Sequence, residues 1–213
     1  QAALPLYHIG GFQVIVRSLL NANPFMLYER FDATRILTDA RTEGATHISV
    51  VDRMLQEMIH ADRASGDALR DYTCILIGGG PLNAQTMERA RVRGARIYAS
   101  YGMTETSSQI ANAPALPAFG GGLRLLPEYE AHIVDPGQDG FGRLAVKGPG
   151  VFAGYLNARA AFTVDGFFLT GDTAALRDGL LFVKERTKDM FVSGGENIYP
   201  AEICQKLMSV EGV

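Results

Sequence analysis

The feature that most restricts the fold is a strand, a glycine turn, a helix and a second strand in immediate succession. An apolar run from Cys74 to Ile77 stops at the glycines Gly78 to Gly80, and helical spacing follows over residues 84–93. Asn83 is a suitable N-cap for that helix, and residues 95–100 form a second apolar run. A strand, a crossover helix and a second strand make a βαβ unit, so the two strands are predicted to run parallel.

The regions on either side of this unit differ from each other in pattern. A strand at residues 48–51 and a helix at 52–60 continue the alternation, and continuous apolar strands are typical of a sheet covered on both faces. Beyond residue 112 Pro and Gly become frequent and the helical period is lost. Short strands are expected there at 130–134, 142–146 and 180–184, with Asp178-Gly179 as a two-residue hairpin turn.

We therefore predict an α/β fold in three parts. Residues 1–112 form the α/β part of a large domain, built on the parallel-sheet βαβ unit. Residues 113–187 form a β-rich subdomain of the same domain, and residues 188–213 begin a small C-terminal α+β domain.

The C-terminal residues are expected to form an amphipathic helix whose packing partners lie elsewhere. Pro200 suits the first turn of a helix, and Ile203, Leu207 and Val210 fall on one face. The chain also opens at Gln1, within an apolar stretch. We expect an internal piece of a longer protein.

Composition excludes several classes of protein. The chain has 213 residues, of which 47% are hydrophobic and 20% charged, as in a globular protein with a substantial core. A net charge of −3 gives no electrostatic footprint for nucleic acid. No apolar run reaches the roughly 18 residues of a membrane span. Cys74 and Cys204 match no metal or redox spacing and are predicted to be small buried hydrophobes, so a cytoplasmic location is expected.

Two segments carry residue types suited to nucleotide chemistry. Ser100 to Glu105 follow a predicted parallel strand, and ligands of open α/β sheets bind beyond the carboxyl ends of strands. Its aromatic ring, glycine, hydroxyl and carboxylate suit a base, a substrate and a divalent cation; the alternative is a plain turn in which Thr104 caps a helix. Asp172, expected at a glycine turn, could accept both ribose hydroxyls or simply stabilise its own turn.

A third segment, Glu185 to Asp189, is ambiguous as chemistry because a charged run is usually a solvated turn. As an ordered string with Gly194 to Ile203 it is more specific. Together with Gly78-Gly79-Gly80-Pro81-Leu82 and Tyr101-Gly102-Met103-Thr104-Glu105, these strings resemble the adenylate-forming superfamily, which contains acyl- and aryl-CoA synthetases.

The resemblance implies ATP and coenzyme A as co-substrates, Mg²⁺ as cofactor and a small carboxylic acid as substrate. It implies that Tyr101 stacks on adenine, Thr104 contacts phosphate and Glu105 binds Mg²⁺. The nucleotide site as a whole would comprise Gly79, Gly80, Pro81, Ser100, Tyr101, Gly102, Met103, Thr104, Asp172 and Arg186.

The same resemblance assigns the acyl pocket, the hinge and the coenzyme A tunnel. The acyl pocket would comprise His8, Gly78, Gly102 and Met103, although a lone histidine near an apolar run is more often a core residue. Lys188 would be the hinge between the large and the mobile C-terminal domain, counted with Thr104 and Glu105 as catalytic. Gly194 and Gly195 would border the tunnel.

Several strings are most similar to o-succinylbenzoate–CoA ligases of menaquinone biosynthesis, notably Tyr7-His8-Ile9-Gly10-Gly11 and Thr104 to Gln109. The sequence departs from that pattern at Asp52-Arg53 and at Glu128. A fatty-acyl or aryl-CoA ligase, and a non-catalytic AMP-binding module, remain alternatives, and a homodimer stays open. A dinucleotide-dependent oxidoreductase is excluded because no G-x-G-x-x-G opens a helix after a strand.

Two catalytic parts of the superfamily have no counterpart in this sequence. There is no loop rich in Ser, Thr and Gly that ends in Pro-Lys-Gly, and no lysine in the C-terminal catalytic context; the lysines are Lys147, Lys184, Lys188 and Lys206. We therefore expect the 213-residue chain to be unable to catalyse adenylation at a useful rate.

Overall fold

The computed structural model describes residues 1–80, 83–115, 121–186, 191–193, 196–198, 203 and 207. The chain divides into two compact units, residues 1–120 and residues 121–213. Within the described residues, no helix has the length and apolar character needed to cross a membrane.

Unit 1 is a parallel sheet with one antiparallel strand at its edge, accompanied by helices. Its elements are α1 (Ile9–Leu20), α2 (Ala33–Glu43), β1 (His47–Val50), α3 (Asp52–Ala61), a 3₁₀ turn (Ala68–Asp71), β2 (Cys74–Ile77), α4 (Ala84–Val92), β3 (Ile97–Met103), a second 3₁₀ turn (Thr104–Thr106) and β4 (Ser108–Pro114). Strands β1, β2 and β3 pair in parallel, in that order, and β4 pairs antiparallel with β3. The prediction of a βαβ unit with parallel strands is confirmed. The predicted domain boundary between residues 112 and 113 falls inside β4.

The caps of α4 match the sequence. The Asn83 side chain accepts hydrogen bonds from the backbone N–H groups of Gln85 (2.9 Å) and Thr86 (3.0 Å). Gly94, two residues beyond the helix, has a φ of 79°, in the left-handed region that favours glycine. The helix therefore begins directly after its predicted N-cap, Asn83, and ends shortly before Gly94.

The core of unit 1 lies between β1–β3 and the helices. Leu37 of α2, Leu55 and Met58 of α3, and Ile75 and Ile77 of β2 are completely buried. Each such side chain contributes about 1.5–3 kcal/mol relative to an exposed one. Cys74, predicted to be a small buried hydrophobe, is only half-buried at the start of β2; burial raises the pKa of its thiol.

Unit 2 is an antiparallel sheet. Its strands are β5 (Gly122–Leu125), β6 (Glu130–Val134), β7 (Gly142–Lys147), β8 (Phe168–Arg177) and β9 (Leu180–Arg186), paired in the order β5-β9-β8-β7-β6. The predicted hairpin turn is confirmed: Asp178 (φ 51°) and Gly179 (φ 75°) join β8 to β9 with positive φ at both central residues. A further antiparallel pair is formed by β10 (Phe191–Ser193) and β11 (Glu196–Ile198).

Two expectations about local structure were wrong. Tyr101 and Gly102 do not follow the strand; they belong to β3, because pairing with β4 extends that strand to Met103. Asp172 does not lie at a turn; it lies inside β8, opposite Arg186 at the end of the pairing with β9, and β8 pairs with β7 on both sides of it.

The predicted C-terminal helix falls mostly outside the described residues, as do Pro200, Cys204 and Val210. Ile203 and Leu207 are described: both are helical, with 45% and 50% of their surface exposed.

Candidate functional site

The glycine turn after β2 packs directly against β3. Because β1, β2 and β3 are parallel, their carboxyl ends meet at one edge, and Gly78 begins the turn at that edge. The Ser100 hydroxyl donates a hydrogen bond to the Ile77 carbonyl (3.0 Å), and a Cβ added at Gly78 would lie 2.5 Å from the Ser100 Oγ. Gly79 needs glycine for a different reason, its φ of 81°. The absence of a Cβ at Gly78 therefore lets the turn lie this close to β3, and the backbone conformation of the next residue favours Gly79.

The end of β3 is shaped by a β-bulge. The pairing with β4 shifts register between Tyr101 and Gly102, which lie opposite Ala111 and Gln109. A Cβ added at Gly102 would overlap the Ser108 carbonyl group and lie 2.7 Å from the Gln109 Cα. Strand pairing alone thus requires glycine at this position, whatever ligand it also admits.

A buried hydroxyl holds the 3₁₀ turn that follows. Thr106 has no exposed surface, and its Oγ1 accepts a hydrogen bond from the Met103 N–H (3.0 Å). The same oxygen lies within hydrogen-bonding distance of the Met103 carbonyl (3.1 Å) and the Ser108 carbonyl (2.8 Å). Ser107 and Ser108 have φ of 55° and 90°, a conformation that costs L-residues free energy and must be offset by such contacts.

This turn displays the two residues of most chemical interest. Thr104 is exposed, Glu105 is half-buried, and Met103 beneath them is 8% exposed. Thr104 does not cap a helix, since it is the first residue of the 3₁₀ turn and Met103 precedes it as the cap. The turn therefore presents one hydroxyl and one carboxylate at the carboxyl end of β3.

The carboxylate of Glu105 fits a magnesium site that also uses substrate oxygens. Among the residues that the structure describes, no group of three or more His, Cys, Asp or Glu side chains could hold a metal. Mg²⁺ keeps several waters and binds through one or two carboxylates plus substrate phosphates, so it needs no cage made of protein alone.

In unit 2, Asp172 lies at a bulge of β8. Gly171 has a φ of 82°, and the pairing with β9 shifts register between Asp172 and Ala174. Asp172 is 5% exposed, and its N–H donates a hydrogen bond to the Thr170 Oγ1 (3.1 Å). Its backbone lies opposite that of Arg186 in the pairing of β8 with β9. The two residues assigned to ribose are therefore brought into register by adjacent strands.

His8 is exposed, so the interpretation as a core histidine was wrong. It precedes α1 as its N-cap, and its carbonyl accepts hydrogen bonds from the N–H groups of Gly11 and Phe12, both 3.1 Å. Its ring centroid lies 4.6 Å from that of Tyr7, which is 85% exposed. Gly11 lies against the Leu4 carbonyl, which would be 2.6 Å from an added Cβ.

Four of the residues predicted for the site lie outside the described residues: Pro81, Lys188, Gly194 and Gly195. The structure adds Thr106, which the sequence analysis did not assign a role. Its signal was present in the run Thr106-Ser107-Ser108, since hydroxyl side chains there tend to bond the nearby backbone.

The chain is similar to known proteins over most of its length. The model of the AMP-binding enzyme family matches residues 2–156. A 2-succinylbenzoate–CoA ligase of Listeria monocytogenes serotype 4b is 38% identical over 218 residues, covering 99% of this chain and 45% of the relative.

Solved structures of the o-succinylbenzoate–CoA synthetase of Bacillus subtilis are similar over most of the chain. Its complex with the acyl-adenylate intermediate has a TM-score of 0.87 and 34% identity, covering 99% of this chain and 45% of that one. Its complex with ATP and magnesium has a TM-score of 0.85 and 34% identity, covering 97% and 45%.

The chain belongs to the AMP-binding enzyme family, because the family model covers well over half of its residues. It spans about half the length of the curated relatives that it matches.

Proposed function

We propose that this chain carries the nucleotide- and acid-binding part of an ATP-dependent acid–thiol ligase that acts on o-succinylbenzoate. In the first step the acid's carboxylate attacks the α-phosphate of ATP, giving an acyl-adenylate and pyrophosphate. In the second step the thiol of coenzyme A displaces AMP and forms the thioester. A cytoplasmic location belongs to the same proposal.

The observation that carries the proposal is the 3₁₀ turn at the carboxyl end of β3. It presents the Thr104 hydroxyl and the Glu105 carboxylate on a backbone fixed by the buried Thr106. Preorganised groups of this kind stabilise charge without having to reorganise during the reaction. The choice of acid is supported by the similarity to 2-succinylbenzoate–CoA ligases.

Within unit 1, Thr104 contacts a phosphate oxygen and Glu105 holds Mg²⁺. When bound, Mg²⁺ compensates the negative charge of the phosphates. The half-buried ring of Tyr101 stacks on adenine, and the Gly78–Gly80 turn and the exposed His8 border the acid.

Within unit 2, the carboxylate of Asp172 accepts hydrogen bonds from the ribose hydroxyls, and Arg186 contributes to the ribose and phosphate region. Burial makes Asp172 a firmly positioned acceptor. Lys188 serves as the hinge and Gly194 and Gly195 border the coenzyme A tunnel, as their sequence context implies.

The test is acid-dependent exchange of pyrophosphate into ATP, measured on the longest native chain that contains this sequence. We expect exchange with o-succinylbenzoate and none with fatty acids or simple aryl acids. Exchange with those acids instead would keep the adenylation chemistry and reject the substrate. AMP binding without exchange for any acid would favour a non-catalytic AMP-binding module.

A further inference from the structure

A cleft lies in unit 1 along the C-terminal half of α4, whereas the glycine turn precedes the N-terminal end of that helix. It has a volume of about 900 Å³ and opens between the C-terminal ends of α3 and α4 and the 3₁₀ turn Ala68–Asp71. Its lining on α4 begins at Glu88, about 7 Å along the helix axis from Asn83.

Four of the ten residues that line the cleft are arginines. Arg70 is paired with Asp67 (3.1 Å), and Arg93 reaches Asp62 (3.5 Å), which has no exposed surface. In the part of the chain that the structure describes, the guanidinium groups of Arg63 and Arg89 make no ion pair or hydrogen bond. The charged and titratable lining residues are His60, Arg63, Asp67, Arg70, Glu88, Arg89 and Arg93.

The local charge is opposite to that of the whole chain. Four arginines against two carboxylates leave a formal charge of +2 in the lining when His60 is neutral, whereas the whole chain carries −3. The C-terminal ends of α3 and α4 each act as about −0.5 of a charge, so they neutralise about half of this excess. Attraction to the negative C-terminal ends of the two helices therefore explains only part of the positive charge in the cleft.

We propose that this cleft binds a small phosphate-bearing anion. The planar guanidinium donates paired hydrogen bonds that match phosphate geometry, and Arg63 and Arg89 are the groups with this capacity unused. Ile59 and the 73% exposed Val92 add an apolar wall, and the volume falls in the range of small-molecule sites. The site lies away from the proposed adenylation site and does not depend on it.

The experiment is a calorimetric titration of the full chain with inorganic tripolyphosphate at low ionic strength. We expect saturable binding that the double substitution Arg63→Gln/Arg89→Gln weakens about tenfold. The matched control, Arg30→Gln/Arg53→Gln, removes two exposed arginines of the same unit away from the cleft and should change the affinity less than about twofold.

A second double substitution separates recognition of the phosphate geometry from attraction by charge alone. Arg63→Lys/Arg89→Lys keeps the charge but loses the planar fork, so we expect binding weaker than in the parent chain. Circular dichroism checks that each variant is folded. The proposal is overturned if tripolyphosphate does not saturate, if both glutamine pairs weaken it equally, or if citrate binds as tightly.

Discussion

At the residue scale, the proposal depends most on the charge of Glu105. Glu105→Gln keeps the shape of a half-buried side chain but removes the negative charge that is proposed to bind Mg²⁺. We expect pyrophosphate exchange in the longest native chain to fall about 10²–10³-fold, the cost of losing one preorganised electrostatic group. The matched control is Glu43→Gln on the exposed end of α2, which should leave exchange unchanged. Equal rates for Glu105→Gln and the parent protein would exclude the metal role.

The hydroxyl of Thr106 is expected to matter for both stability and activity. Thr106→Val keeps the shape but leaves the buried Met103 N–H without its acceptor, at a cost of about 1–3 kcal/mol in the free energy of unfolding. Exchange should fall in Thr106→Val and persist in Thr106→Ser, which retains the hydroxyl.

Urea unfolding and exchange assays on both Thr106 variants check this expectation. Thr38→Val is the control, because the Thr38 hydroxyl also bonds a backbone carbonyl but is exposed, so the change should stay within about 0.5 kcal/mol. Indistinguishable activities for Thr106→Val and Thr106→Ser would mean that the hydroxyl does not position the turn.

The sequence indicated Thr104, Glu105 and Asp172 because their residue types suit the chemistry, but it could not indicate what holds them. The hydrogen bond from the Thr106 hydroxyl to the Ser108 carbonyl depends on where β4 lies. The pairing of β4 with β3 cannot be seen in a local sequence pattern. Likewise Asp172 was placed at a turn because Gly171 suggests one, whereas the same glycine lies inside β8, where the pairing with β7 shifts register.

At the element scale, two adjacent glycines of α1 should respond in opposite ways. A Cβ at Gly11 would collide with the Pro5 carbonyl and lie 2.6 Å from the Leu4 oxygen, so Gly11→Ala should destabilise by about 1–3 kcal/mol. At Gly10 the nearest atom is the Leu4 Cδ1 at 3.6 Å, and Gly10→Ala should stabilise by up to about 1 kcal/mol. Thermal unfolding of both variants tests this. Stabilisation by Gly11→Ala as well as by Gly10→Ala would show that the Leu4–Pro5 segment can move aside.

Two buried tyrosines of unit 1, Tyr28 and Tyr72, are expected to make its stability sensitive to alkali. Burial raises the pKa of Tyr28 to about 12, with a further contribution from its hydrogen bond to Asp39 (3.0 Å), and burial also raises the pKa of Tyr72. In the unfolded chain both titrate near pH 10. Since the raised pKa favours the protonated folded form, the stabilisation is complete below about pH 10 and is lost as the pH rises towards 12.

Urea unfolding at a series of pH values measures this dependence. The double variant Tyr28→Phe/Tyr72→Phe has no phenol at either position, so its free energy of unfolding should be lower at neutral pH but fall less steeply between pH 10 and 12. Parallel slopes for the variant and the parent chain would contradict the prediction.

Elements with strong local signals were predicted closely, and those defined by pairing were not. Strand β2 and the Asp178-Gly179 turn lie where the sequence placed them. Strand β4 was not anticipated, because its seven residues carry polar and small side chains without a clear alternation. Its existence follows from hydrogen bonds to β3, which depend on the tertiary fold.

At the scale of the whole molecule, the two units hold different parts of the proposed nucleotide chemistry. The family match covers all the described residues of unit 1 from Ala2 onward and reaches residue 156 in unit 2. Tyr101, Thr104 and Glu105 belong to unit 1, whereas Asp172 belongs to unit 2. Adenylation is expected to need, in addition, groups that this sequence does not contain.

The 213-residue chain is expected to bind nucleotide without turning it over. We expect it to bind AMP, with Asp172→Asn weakening that binding, and to show no acid-dependent pyrophosphate exchange. The reason is that the sequence has neither a Pro-Lys-Gly phosphate loop nor a lysine in the catalytic context, and losing one charge-stabilising group costs about 3–4 kcal/mol. Titration with AMP and an exchange assay on the same purified sample test both halves. Exchange by this chain, free of contaminating ligase, would mean that other residues of the chain supply the missing positive charge.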